Sequence, residues 1–337
     1  MQCFSLDFPE GTELTERGYQ QLTQNLFSSL PSRLISFALN IEDCGSITDD
    51  IIGEISFNIA QNLKNLKTLV LSFGYIDQLT GNALLKLIQI ISKDLPSLKK
   101  LILSFSVCKG VDPNFDIILP EQLQQFDLYL DNPQDMIHTT WKGLNRLSLI
   151  FNDCTEKTSL MDISSKPSLI LKNLNELKLI FAQSHKIGNK EIGDLTSAIG
   201  KNLESLKSLD LGFSYCSLIT DDSLLHLGDN ICRKLKNLRH LNFHFYTCGS
   251  FYEGGLIYLA SIIGSKLKNL ESLTLFFYNS LGEEAQLESM LNFVCSILSR
   301  DLKKLKKLTL SCNLFQNLAL ARKIREKLCH IPMLCLY

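Results

Sequence analysis

Four groups of side chains in this 337-residue chain are of types that do chemistry. Eleven cysteines could form disulfides or hold zinc. His240 and His244 would share one metal ion if a helix carried them. Segment 193–202 reads G-D-L-T-S-A-I-G-K-N, with the glycines and the lysine of a phosphate loop. The basic run Arg300, Lys303, Lys304, Lys306 and Lys307, with Arg322, Lys323, Arg325 and Lys327 beyond it, could meet phosphates. Whether any of this chemistry is available depends on the elements that carry these residues.

Composition narrows the field first. The chain is 45% hydrophobic and 20% charged, an ordinary globular mix. Its 34 basic and 35 acidic residues leave a net charge of -1, so no overall field draws it to nucleic acid or to an anionic membrane. No run of about eighteen apolar residues exists, so a membrane span is not expected. Residues 1–8 have neither the basic nor the apolar region of a secretory signal, and no Arg-rich transit segment is present. Neither an Asn-x-Ser/Thr acceptor nor a Cys-x-x-Cys pair occurs. Reduced thiols in the cytoplasm are the expectation.

An internal repeat assigns the elements. Leu34, Leu66, Leu98, Leu123, Leu144, Leu174, Leu206, Leu238, Leu270 and Leu305 are its anchors, at gaps of 32, 32, 25, 21, 30, 32, 32, 32 and 35 residues. From each anchor the chain runs L-x-x-L-x-L-x-F, clearest at 66–73 and 206–213. Positions +3 and +5 are always Leu or Phe, and +7 is Phe in seven repeats. Period-two alternation predicts a strand with one buried face. Farther on, the period changes. Ile52, Ile55 and Ile59 form one helical face, as do Leu84, Leu87 and Ile91; Ile192, Leu195 and Ile199; Leu224, Leu227 and Ile231; and Leu256, Leu259 and Ile263. Leu291, Val294 and Leu298 continue the series. Thr48, Thr80 and Thr220 stand at the N-cap positions, with acids in the first turn after Thr48 and Thr220.

Such a strand–loop–helix unit cannot bury its faces alone, so neighbours must stack. The expected fold is an α/β solenoid bent into a horseshoe, because strands pack closer than helices, with parallel strands on the concave face and helices on the convex one. We expect a single solenoid: a partial cap over 1–33 with a helix over 12–30, regular repeats over 34–105, short irregular repeats over 106–170, regular repeats over 171–327 and a terminal strand over 328–337. In 106–170 the gaps shrink, and Pro113, Pro120, Pro133 and Pro167 interrupt any helix. Extended segments or turns should replace the helices on that irregular convex side, with Trp141 filling the space.

The pattern resembles the leucine-rich-repeat family in its long, ribonuclease-inhibitor-like subtype. The Leu-x-x-Leu-x-Leu-x-Phe variant, with its frequent Cys and Ile-Thr-Asp helix start, is also similar to repeat proteins of ciliates and related protists. That resemblance implies a binding scaffold, and the protist variant implies cytoskeletal or ciliary association. Where the family's usual consensus has an Asn after the strand, this chain has Phe and mixed residues, so that loop's hydrogen-bond ladder is not carried over.

With elements assigned, the chemistry recedes. Cys44, Cys108, Cys154, Cys216 and Cys248 all fall at +10, as a repeated small buried residue just after the strand. Segment 193–202 falls on a helix, has six residues between its glycines and lacks Ser or Thr after Lys201. His240 and His244 lie on a strand, about 13 Å apart, too far to share a metal. The lysine run continues a habit of basic residues around every strand. No catalytic residue, metal, cofactor, small-molecule substrate, nucleic acid or membrane is expected. The open sheet face, at +2, +4 and +6, is left as the surface for a protein partner or a large assembly. Asp210, His240, His244 and Phe276 lie there, with Tyr246 and Tyr278 on its rim at +8. Aromatic groups of this kind anchor protein interfaces. Tyr129, Trp141, Ile150 and Ile180 make a second candidate set on the face and in the irregular stretch. A non-catalytic protein-interaction scaffold is the leading reading. The alternative is a regulatory repeat protein, an enzyme inhibitor or a GTPase activator, as some members of that family are.

Overall fold

The computed structural model describes residues 3–9, 15–108, 110–111, 117–131, 143–152, 171, 173–249, 251–281, 284–311 and 318–336; of 284–290 and 318–320 it describes the backbone alone. The chain forms two compact units, Met1–Asn152 and Asp153–Tyr337.

In the first unit the elements run β1 (Cys3–Asp7), α1 (Glu16–Ser29), β2 (Ser36–Asn40), α2 (Asp49–Asn62), β3 (Thr68–Ser72), α3 (Gly81–Asp94), β4 (Lys100–Phe105), β5 (Gln125–Asp131) and β6 (Arg146–Asn152). The strands pair in parallel and in chain order. In the second unit come β7 (Glu176–Ala182), α4 (Asn189–Asn202), β8 (Ser208–Ser214), α5 (Asp221–His226), which continues as a π-helical turn over Leu227–Cys232, β9 (His240–Tyr246), α6 (Glu253–Lys266), β10 (Ser272–Phe276), α7 (Glu284–Asp301), β11 (Lys307–Ser311), α8 (Leu318–Lys327) and β12 (Met333–Leu336). Here too all pairing is parallel and sequential. Each unit has the α/β architecture of a leucine-rich-repeat solenoid.

The register explains why Leu and Phe recur. Within each unit a +3 residue stands opposite the +3 residue of the next repeat, Leu69 against Leu101 and Leu209 against Leu241. Inward side chains therefore form columns across neighbouring strands. All five complete helical triplets are buried with them, together with Leu291, Val294 and Leu298. Phe181, Phe213, Phe245 and Phe277 make one stacked column at +7, with ring centroids 5.7, 5.7 and 5.4 Å apart.

Two expectations need correction, and a third falls mostly on residues that are not described. The first helix begins at Glu16, after Thr15, whose Oγ1 accepts the Gly18 N–H at 3.2 Å, and not at residue 12. Thr48 and Thr80 cap their helices through the hydroxyl, but Thr220 does not. Its Oγ1 already accepts from Asn189 Nδ2 at 2.7 Å, while its N–H donates to Asn189 Oδ1. The same cross-repeat grip recurs in the Thr80 N–H bond to Asp49 Oδ1 and the Tyr252 N–H bond to Asp221 Oδ1, both 2.9 Å. First-turn Asp49 and Asp221 thus accept from the start of the next helix, a role more specific than offsetting the helix dipole. Finally, most of 106–170, including Pro113, Pro133, Trp141 and Pro167, lies outside the described residues; within it, 117–120 carry neither helix nor strand.

The glycine-rich segment 193–202 lies in α4, as expected, and its glycines serve packing. A β-carbon on Gly200 would fall on the carbonyl oxygen of Asn230 in the neighbouring π-helical turn. Backbone cannot yield as a flexible side chain can, so the two helices would have to part. Gly200→Ala should therefore cost about 1–3 kcal/mol despite alanine's better helix propensity. Urea unfolding checks this, and a stabilised variant would contradict the close approach.

Candidate functional site

The turn that ends seven of the strands sets up the site. At +9 the backbone enters the left-handed region in seven repeats, at Asp43, Tyr75, Val107, Gln183, Tyr215, Thr247 and Asn279, with φ between 50° and 61°. This conformation is uncommon for residues other than glycine, and most so for β-branched Val107 and Thr247. Cross-repeat bonds hold it. The N–H of Tyr215 donates to the Tyr246 carbonyl and that of Thr247 to the Tyr278 carbonyl, each at 2.8 Å.

At +10 the thiols do more than fill space. Cys108 Sγ donates to the Phe73 carbonyl at 3.0 Å, Cys216 to Phe181 at 3.9 Å and Cys248 to Phe213 at 2.9 Å. Ser280 makes the same bond to the Phe245 carbonyl at 3.0 Å. A Cys/Ser ladder thus closes the loop in these repeats. Burial pushes the Cys108 and Cys248 thiols up to about 11 and raises that of Cys232 as well. Few thiolates exist at neutral pH, and the thiolate is the reactive form. We predict that exposed Cys3 and Cys329 react with a thiol reagent in the native state, while Cys108, Cys232 and Cys248 react only on unfolding. All eleven cysteines should be alkylated in denaturant without reductant. A mass deficit from any linked pair, or bound zinc, would contradict this.

On the open face of the second unit the structure brings five of the six leading candidates together. Tyr246 and Tyr278 stack with centroids 5.3 Å apart and an interplanar angle of 6°. Phe276 lies 6.2 Å from Tyr246, 6.3 Å from Tyr278 and 6.1 Å from His244. His244 Nε2 stands 3.3 Å from Asp210 Oδ1. It is not aligned to donate, so that buried carboxylate oxygen has no hydrogen-bond partner among the described residues. His244, Tyr246, Phe276 and Tyr278 are each half-buried.

His240 stands apart from these rings. It is exposed at the start of β9, at the end of the strands opposite the rings. Ile180 leans across the sheet, since a β-carbon on Gly212 would come within 2.5 Å of its Cδ1. Glycine thus leaves Ile180 room to fill the space beside His244. In the first unit Tyr129 and Ile150 are neighbours in register and half-buried. Burial, then the adjacent Asp127 carboxylate, raises the Tyr129 phenol.

One ring was missed by counting strand parity. Tyr215, 42% exposed, packs edge-on against Tyr246 at 5.4 Å. The left-handed turn at +9 swings it back to the cluster, and its phenol beside that of Tyr246 raises the latter's pKa.

Chemistry is not what this arrangement suits. Among the described residues no group of three or more His, Cys, Asp or Glu side chains could hold a metal, and no helix is long and apolar enough to cross a membrane. No family model matches the chain, and no curated protein matches it in sequence. Among solved structures, the chain is similar to one in the crystal structure of the Rad7 and Elc1 complex in yeast. That match has 14% identity and a TM-score of 0.41, over 91% of this chain and 75% of the other. The assignment of the fold therefore rests on the chain's own repeat, register and hydrogen bonds.

Proposed function

We propose that the protein is a non-catalytic interaction scaffold that binds a protein partner through the open sheet face of its second unit. Asp210, His244, Tyr246, Phe276 and Tyr278 would form the contact, with Tyr215 extending it and His240 at its margin. The observation that carries this reading is the run of half-buried rings on a face that no described helix covers. Such rings combine large apolar area with little entropy to lose, and they dominate hot spots. We read the long strand–helix repeat as the ribonuclease-inhibitor-like subtype and the compartment as the reducing cytoplasm.

Proximity labelling in the native cell, followed by purification, tests the proposal. A scaffold should co-purify stoichiometrically with an assembly and change no enzyme's rate. Altered turnover of a captured enzyme would favour the regulatory alternative, an inhibitor or GTPase activator. Failure to recover any stable partner would contradict both.

A further inference from the structure

We infer that the rim at the N-terminal ends of the second unit's strands is a carboxylate-binding cleft that receives an acidic segment of a protein partner. The inference rests on the reading of this unit as a protein-binding body, and it adds a site at the end of the strands opposite the rings.

The rim is built by the backbone. Each +1 carbonyl accepts two N–H groups from the next repeat: Lys207 O from Arg239 and His240, Arg239 O from Glu271 and Ser272, and Glu271 O from Lys306 and Lys307. Successive +1 side chains are thereby held about 4.8 Å apart, the spacing of paired strands. Two residues earlier, Asn237 and Asn269 donate through Nδ2 to the carbonyls of Glu204 and Lys236 in the preceding repeat. Their side-chain oxygens are left as acceptors, and Lys304 Nζ donates to Asn269 Oδ1 at 2.7 Å. Between these rows lies a polar cleft of about 540 Å³.

Charge decides what fits it. Lys207, Arg239 and Lys304 line the cleft, with Glu271 as its one acid. Glu271 is already engaged, by Lys306 at 2.6 Å and Arg239 at 3.6 Å, and the Lys306 ammonium holds its carboxyl below the ordinary range. Lys207 makes no ion pair among the described residues. Positive charge in excess, flanked by amides fixed as hydrogen-bond partners, suits separate carboxylates carried on a polypeptide. A nucleic-acid strand calls for an unbroken cationic track with rings for the bases to stack on. This cleft has an acid in the track and no ring in its lining. From +1 to +8 the strands run about 23 Å, so one extended segment of roughly seven residues could place acids here and an apolar anchor on the rings.

The test is fluorescence anisotropy at near-physiological salt with a labelled decaglutamate peptide, which carries no apolar anchor. Saturable binding is expected, weakened at least tenfold in Lys207→Gln/Lys304→Gln. Lys67→Gln/Lys99→Gln removes the same charge at the +1 positions of two first-unit repeats and should change affinity less than twofold. Tyr246→Ala/Phe276→Ala should bind the peptide as the wild type does, which separates this site from the ring surface. Absence of saturable binding, or equal weakening by both lysine variants, would overturn the inference. So would loss of peptide binding in the ring variant, or tighter binding of a ten-nucleotide single-stranded RNA.

Discussion

Phe213→Ala should lower the free energy of unfolding by about 3–5 kcal/mol, the range for removing a buried aromatic ring. Its ring is fully buried and stands in the middle of the +7 column, 5.7 Å from both Phe181 and Phe245. Truncation would leave a gap facing a neighbour on each side, and the column can close only by moving whole strands. Because a solenoid is held by contacts between adjacent repeats, damage at one should also weaken the coupling of those beyond it. Equilibrium unfolding in urea should therefore show a lower midpoint and a broader transition. The Phe213 carbonyl accepts the Cys248 thiol, and this backbone bond survives the substitution, so the ring alone is tested. A loss of less than about 1 kcal/mol would mean that the +7 residues are not the core of the sheet.

Tyr246→Ala/Phe276→Ala should leave the fold intact and remove the docking surface. Neither ring belongs to the +3, +5 and +7 columns, and both are half-buried on the open face. Together they touch His244, Tyr215 and Tyr278, so losing both dismantles the cluster. Binding of an identified partner should weaken by at least about 2 kcal/mol, roughly thirtyfold in Kd, as expected for interface hot spots. Calorimetric titration reads this directly. Unchanged affinity, with binding lost instead through changes within 106–170, would move the interface to that stretch.

The columns were legible in the sequence because burial admits few residue types. Leu and Phe at +3, +5 and +7 announce an inward face, and the change to spacings of three and four announces the helix. The turn between them was hidden. Asp43, Tyr75, Val107, Gln183, Tyr215, Thr247 and Asn279 share a left-handed backbone but no side-chain chemistry, so no residue type marks the position. For the same reason nothing in the sequence marks Tyr215 as part of the cluster. Cysteine at +10 was visible as a repeat, whereas its role as donor to the preceding repeat's carbonyl needs the register. Strand parity puts His240 and His244 on one face. It could not tell that one joins the rings while the other stands at the rim near Glu271. Gly200 resembled part of a phosphate loop because glycine serves close backbone approach in both settings.

The most direct test of the docking surface is site-specific photo-crosslinking in the native cell. A photoreactive phenylalanine analogue would replace Tyr246 or Tyr278 on the sheet face, and Phe57 or Phe293 on the exposed helical side. The same protein should be captured from both strand-end positions and from neither helical one. Capture from Phe57 or Phe293 alone, with none from Tyr246 or Tyr278, would contradict the assignment of the open face as the site of binding.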